Sequence, residues 1–244
     1  FDHGNGIELQ IFNLMDIART AGFTQVHTVA SQREPDGMFP TVNFPNPEEP
    51  GAMDEVIALA TKVGAALAVA NDPDADRLAV AVRRSDGEYV MLRGDQVGVL
   101  LGHAALEHDA NVAVATTIVS SSLLGTMAKA KGATYFETLT GFKWIANGAM
   151  DRPDIPFAFG YEEALGYTVG ELVRDKDGVS AARIFCELAA DLAADGSDLF
   201  TRLLEIYSEY GLFMTAQKSL WYDGKDSPLA KLCAGHLPTP MIEP

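Results

Sequence analysis

Hydrophobic and polar positions fall in blocks along the chain, and the period inside each block sets the element it predicts. Leu9, Ile11, Phe12, Met15, Ile17 and Ala18 have helical spacing over residues 9–22, which stops at Gly22. Gln25–Ala30 reads as a short strand. Residues 35–50 hold Pro35, Pro40, Pro45, Pro47 and Pro50, which forbids a helix and predicts an ordered extended loop. Gly51–Val63 is then helical, with Gly64 as its C-cap. Two apolar runs of strand length follow, Ala65–Ala70 and Leu78–Val82, separated by the polar heptapeptide Asn71–Arg77. Tyr89–Leu92 pairs with Leu78–Val82 through a turn at Asp86-Gly87, and a first α/β domain ends near residue 92.

The pattern then repeats with a different order. Asp95 is placed to cap a helix that runs to about Leu106. Asn111–Thr116 is a β-branched strand, Ser120–Ser122 are placed to cap a helix over Leu123–Lys131, Gly132 ends it, and Thr134–Phe136 is the next strand. Strand, helix, strand implies a parallel pair with a right-handed crossover. A strand over Ile155–Phe159, a helix from about 178 to 194 capped by Asp177, and a helix over about Ser197–Tyr210 complete the set, with residues 212–222 as one more strand. The fold expectation is α/β: two consecutive α/β domains with mixed or mostly parallel sheets and flanking helices.

Composition narrows the function. Of 244 residues, 48% are hydrophobic, enough for sizeable cores, and 34 acidic against 18 basic residues give a formal net charge of −16. That balance argues against nucleic acid and against an anionic membrane surface as partners. No apolar run is long enough to span a membrane and no signal peptide is expected. Cys186 and Cys233 show neither metal spacing nor a disulfide framework, as expected in a reducing cytoplasm. The five histidines form no ligand spacing. The opening at Phe1 without an initiator Met leads us to expect a piece of a longer protein.

The strongest chemical signal is the heptapeptide. Asp72, Asp74 and Asp76 recur at every second position, and three like charges so close repel one another. A hard divalent cation relieves that repulsion, and Mg²⁺ commonly takes a few carboxylates together with phosphate oxygens. Arg77 adds a planar donor fork suited to a phosphate. A plain acidic surface turn is the competing reading, because Asp, Asn and Pro are ordinary turn residues. An EF-hand is excluded: counted from Asp72, its Gly and Glu positions hold Arg77 and Arg83. A haloacid-dehalogenase type of phosphatase also carries Asp-x-Asp after an apolar strand, but its next-but-one residue is usually Thr or Val, where this chain has Asp76.

Two later loops add to this. In Thr138–Trp144, Thr140 is placed to cap a helix with Lys143 in its first turn. A cation there opposes the helix dipole, so an anion bound between Lys143 and the helix N-terminus would give it a reason; a solvated lysine is the competing reading. Gly160–Tyr167 places Glu162 and Glu163 at the end of an apolar strand, where carboxylates can accept sugar hydroxyls. Gly4-Asn5-Gly6 reads as a tight turn, and the charge run Arg174–Gly178 as surface.

Together and in order, these loops resemble the α-D-phosphohexomutases, the phosphoglucomutase and phosphomannomutase family. Asp72–Arg77 resembles the family's metal loop, Thr140–Trp144 and Gly160–Gly166 its third-domain loops, and residues 34–51 its second domain. The resemblance implies a division into a second domain over 1–92, a third over 93–210 and the start of a fourth over 211–244. It implies that Asp72, Asp74 and Asp76 hold Mg²⁺, that Arg77 and Lys143 are catalytic, and that Gly160, Glu162 and Glu163 bind substrate. The implied reaction moves a phosphoryl group between the 1- and 6-positions of a hexose phosphate, through a phosphoserine and a bisphosphate intermediate. Neither the family's serine loop nor its fourth-domain phosphate loop occurs here, so domains one and four of the parent chain are the implied partners, and these residues alone are expected to be inactive. Ala164 stands where the common form of the loop has Ser, a variant that looks like a subgroup including phosphopentomutases. A pentose phosphate is therefore a second implied substrate. The rivals are a phosphatase with Asp72 as nucleophile and a non-catalytic module binding metal or sugar phosphate.

Overall fold

The structure, a computed structural model, describes residues 18–34 and 36–216. The described residues up to Met214 belong to one compact unit; of the second, which starts at Thr215, residues 215 and 216 are described.

A three-stranded antiparallel sheet comes first, in the order β1 (Leu67–Ala70), β2 (Ala79–Arg83), β3 (Tyr89–Met91). Helix α1 (Asp54–Val63) packs on β1 and ends at Gly64, whose φ of 70° is the left-handed cap that glycine adopts without strain. β2 is central, and Ala79–Val82 are all buried, so both faces of this strand are covered. The turn at Asp86-Gly87 closes with Arg84 and Gly87 bonds, as the sequence predicts.

The second sheet has the order β5 (Thr134–Thr138), β4 (Ala113–Thr117), β6 (Phe157–Glu162), β7 (Gly166–Val169). β4 pairs parallel with β5 and β6, and β6 pairs antiparallel with β7, so the sheet is mixed and mostly parallel. Helices α2 (Gly94–His108) and α3 (Leu123–Lys131) cover one face, with α5 (Gly178–Ala194) and α6 (Leu199–Tyr210) packed against α2 and its neighbours. Helix α4 (Phe142–Met150) covers the other. β4 divides its side chains accordingly: Val114 joins the large core, which also takes in the first sheet, while Ala113 and Ala115 pack with Phe136, Phe142, Ile145 and Phe157. Asp177 and Asp198 cap α5 and α6 through Ser180 and Thr201 N–H groups, at 2.9 and 2.8 Å.

Several expectations are corrected. Residues 25–30 make no ladder; the backbone stays extended and turns into a 3-10 helix at Ala30–Gln32, and Val26–Val29 line a cavity with Val69 and Ala70 of β1 instead of pairing with that strand. The strand placed at Ile155–Phe159 runs Phe157–Glu162 and turns back as β7. Asp95 lies in the first turn of α2 rather than capping it; its carboxylate accepts from Ser121 N–H at 2.7 Å and Tyr161 O–H at 3.2 Å. The cap of α4 is Gly141 with φ 116°, not Thr140. The predicted helix over 9–22 is described only at its end, where residues 18–20 are helical before Gly22. Most of the strand expected at 212–222 lies outside the described residues, as do Gly4-Asn5-Gly6 and Cys233.

Candidate metal and sugar-phosphate site

The heptapeptide joins β1 to β2. Ala75 sits in the left-handed region at φ 56°, held there from both sides: its N–H reaches Asp72 O at 3.0 Å, and its carbonyl accepts from Gly178 N–H at 3.1 Å. The turn brings one carboxylate oxygen each from Asp72, Asp74 and Asp76 within 4.8 Å of one another. Asp72 is buried, with Oδ1 accepting from Arg77 N–H at 3.0 Å and Oδ2 3.3 Å from Arg77 Nε. Burial pushes the Asp72 carboxyl up to about 6; the Asp76 and Asp74 charges add to that, and Arg77 opposes it. Asp76 Oδ2 lies 2.7 Å from Lys176 Nζ, while its buried Oδ1 has no hydrogen-bond partner and is 3.9 Å from Arg77 Nε. All of these donors are hard oxygens, and the orphaned Asp76 Oδ1 is an open ligand position, so the residues fit a divalent cation.

Backbone bonds fasten this loop to the β6–β7 hairpin. Leu78 N–H reaches Leu165 O at 3.0 Å, and Arg77 pairs with Gly166 in an antiparallel bridge. Leu165, like Ala75, is a non-glycine in the left-handed region (φ 63°), and its side chain is fully buried. The hairpin also meets α2: a Cβ at Gly94 would collide with the Glu163 backbone, and Tyr167 O–H reaches Gly94 O at 3.2 Å. Glycine at 94 is what lets the hairpin approach the helix start.

The acids at the hairpin are half-buried and already oriented. Glu162 Oε1 accepts from Gly141 N–H at 2.6 Å, which ties it to the start of α4. Glu163 Oε2 accepts from Ser120 Oγ at 3.1 Å, and Glu163 N–H donates back to Ser120 Oγ at 3.1 Å. Lys143 lies exposed in the first turn of α4, its Nζ 5.3 Å from the Trp144 ring centroid. Gly160 is buried in mid-strand, where a Cβ would meet Ile145 and Phe157 side-chain atoms at 3.0 Å, so its part in the site is to let β6 lie close under α4.

Three residues escaped the sequence reading. Lys176 belongs to the charge run read as surface, yet it is half-buried: its Nζ pairs with Asp76 and lies 5.7 Å from the Phe142 ring. Burial works against its charge, but Asp76 and Asp175 outweigh it and raise the ammonium pKa. Ser120 follows β4 and holds Glu163. Glu48, from the proline-rich loop, feels the charges of Arg77 and Glu163, and burial raises its carboxyl pKa. The signal was faint in each case: a lysine among acids, a serine among serines, and an acid among prolines.

Comparison with known proteins assigns the family. Residues 1–87 match the family model described as phosphoglucomutase/phosphomannomutase, alpha/beta/alpha domain II, and residues 93–207 match the corresponding domain III. The "Probable phosphomannomutase" of Haemophilus influenzae is 43% identical over 221 residues, covering 89% of this chain and 44% of that protein. The human phosphopentomutase is 42% identical over 203 residues, covering 77% of this chain and 33% of that protein. A crystal structure of a phosphomannomutase-type protein from Thermus thermophilus superposes with a TM-score of 0.67 at 26% identity, covering 82% of this chain and 43% of that one. The chain thus spans less than half the length of these relatives. Two consecutive domain models of one family, matched in order, carry the assignment: the chain belongs to the phosphoglucomutase/phosphomannomutase family, the α-D-phosphohexomutases, and corresponds to its second and third domains.

Proposed function

We propose that these residues form the metal- and sugar-binding part of an enzyme that moves a phosphoryl group between the 1- and 6-positions of a hexose phosphate. The observation that carries this reading is the backbone lock between the Asp loop and the Glu162-Glu163 hairpin, which holds the three Asp carboxylates and the two Glu residues on one scaffold. Asp72, Asp74 and Asp76 would hold Mg²⁺, which would supply neutralising charge at the transferred phosphoryl group. Arg77 would present its guanidinium to the same phosphate. Glu162 and Glu163, held by Gly141 and Ser120, would accept sugar hydroxyls without first having to be ordered. Lys143, in the first turn of α4, would receive an anionic group of the substrate. Gly160 would contribute by keeping β6 close under that helix.

A phosphoserine carrier and a bisphosphate intermediate complete the reaction we propose, with the carrier supplied by a domain outside these residues. Residues 1–92, 93–210 and 211–244 are the domain divisions we infer, and the cytoplasm is the compartment. A phosphatase with Asp72 as nucleophile is disfavoured: that carboxylate is buried and engaged by Arg77, and the relatives are named as mutases. The same names argue against a purely binding module. A pentose phosphate is a second substrate reading, favoured by the exposed Ala164 in the hairpin and by phosphopentomutase relatives.

The test is a titration of the isotope-labelled chain with glucose 1-phosphate and, separately, ribose 1-phosphate at millimolar concentration with Mg²⁺ present. The Gly141, Glu162 and Glu163 amide resonances are expected to move, and Glu162→Gln is expected to weaken the effect by roughly tenfold. Shifts confined to residues away from the hairpin would remove the substrate assignment. A response to only one sugar would decide the substrate class.

A further inference from the structure

We infer that Lys176 is the built-in counter-ion of the Asp loop: its ammonium holds the loop in place when no metal is bound and lowers the loop's affinity for the metal. This rests on reading Asp72, Asp74 and Asp76 as a cation site.

Three carboxylates bring one oxygen each within 4.8 Å. Arg77, the basic residue inside the loop, directs its Nε mainly at Asp72, at 3.3 Å, and stands 3.9 Å from Asp76. Lys176 meets Asp76 from a different part of the fold, one hundred positions later in the sequence, at 2.7 Å. Its stem is confined as well as its charge. A Cβ on Gly166 would come within 2.6 Å of Lys176 Cδ, and the ammonium lies 5.7 Å from the Phe142 ring. Two residues on, Gly178 N–H binds Ala75 O at 3.1 Å, and a Cβ at Gly178 would collide with Arg77 O. The segment 176–178 therefore grips the Asp loop by one ion pair and one backbone bond.

Such a cation has two effects of opposite sign. It offsets repulsion among the carboxylates when the site is empty, so the loop keeps its shape without metal. It also repels a divalent ion arriving at the same carboxylates, so it weakens binding. Because further backbone links also hold the loop to β6–β7 and to the start of α5, loss of the ammonium weakens the hold on the metal-free loop without abolishing it, and the direct repulsion decides the sign for metal binding.

The experiment uses Mn²⁺ alone as the probe, with Lys176→Gln, Lys176→Arg and the parent chain. Lys176→Gln keeps an N–H donor for Asp76 and removes the charge. It is expected to bind Mn²⁺ roughly tenfold tighter by calorimetry, and to melt below the parent in chelator, with the gap closing or reversing at saturating Mn²⁺. Lys176→Arg is expected to match the parent in both respects. Equal or weaker Mn²⁺ binding by a folded Lys176→Gln would overturn the inference while leaving the metal site standing. If Lys176→Gln does not fold, a parent whose melting in chelator is insensitive to added salt overturns it, and a parent that loses stability with salt supports it. Absence of Mn²⁺ binding by every chain would remove the metal reading, and this inference with it.

Discussion

Asp72 is the residue whose chemistry depends most on its surroundings. It is 8% exposed, and burial lifts its carboxyl from the ordinary 3.8 to about 6. The folded, metal-free chain therefore holds the Asp72 proton more tightly than the unfolded chain does. That contribution stabilises the fold below about pH 4 and is lost as pH rises through about 6. In chelator, Asp72→Asn is expected to gain stability over the parent, by about 2 kcal/mol, as pH is raised from about 4.5 to 7.5. A thermal melt series over that range reads it directly, and a gap that stays constant or moves the other way contradicts the burial account. Asp74 is the exposed member of the three and has no packing role. Asp74→Asn is expected to weaken Mn²⁺ or Mg²⁺ binding by about tenfold or more without lowering the melting temperature in chelator, because it removes a candidate ligand and a like charge beside Asp72 but no core contact. Equal calorimetric heats from parent and variant would count against the site.

Helix α2 shows how packing at the element level serves the site. Gly94, Gly98 and Gly102 recur at every fourth position and so lie on one face of the helix. A Cβ at Gly98 would come within 2.5 Å of the Tyr161 ring, and one at Gly102 within 2.6 Å of Leu124 Cδ1. The glycine face lets α2 lie close against β6, and Gly94 lets the Glu163 backbone rest on the helix start. Gly94→Ala is expected to destabilise the chain by about 2 kcal/mol or more, since a backbone carbonyl cannot swing aside as a side chain can. It should also abolish the amide shifts of Glu162 and Glu163 on adding sugar phosphate. Parent-like melting and parent-like shifts in the same variant would show that the contact is dispensable.

At the scale of the whole molecule, the two sheets share one core, and the loops of the site come from both. Metal ligands and sugar acceptors position and polarise a substrate, but they do not carry a phosphoryl group while the sugar turns over. The 244 residues contain no serine loop of the family's kind. Given glucose 1-phosphate, Mg²⁺ and a trace of glucose 1,6-bisphosphate, this chain is expected to produce no glucose 6-phosphate above background in a coupled assay. Isomerisation would show that the carrier lies within these residues after all. Release of inorganic phosphate without isomerisation would revive the phosphatase reading, with Asp72 the first residue to replace.

The sequence by itself determined the local features. Apolar periods, Gly64 and Gly132 at helix ends, Asp177 before α5 and the turn at Asp86-Gly87 are each fixed by a few neighbouring residues. The Asp alternation announced the candidate cation site for the same reason, because its three carboxylates lie within five residues of one another. The tertiary structure decided everything that depends on distant partners. Residues 25–30 have strand composition, but a strand exists only when a neighbour takes its hydrogen bonds. A register shift between β4 and β6 beside Ala113 and Val114 sends Phe157 and Phe159, two residues apart, into different cores, a reversal that no period-two pattern can announce. Lys176, in a run of charges that reads as solvated surface, becomes half-buried against Asp76 because the chain after β7 folds back over the Asp loop. The pairing of Glu163 with Ser120 likewise joins residues 43 positions apart, and only the parallel order of β4 and β6 brings their ends to the same edge of the sheet.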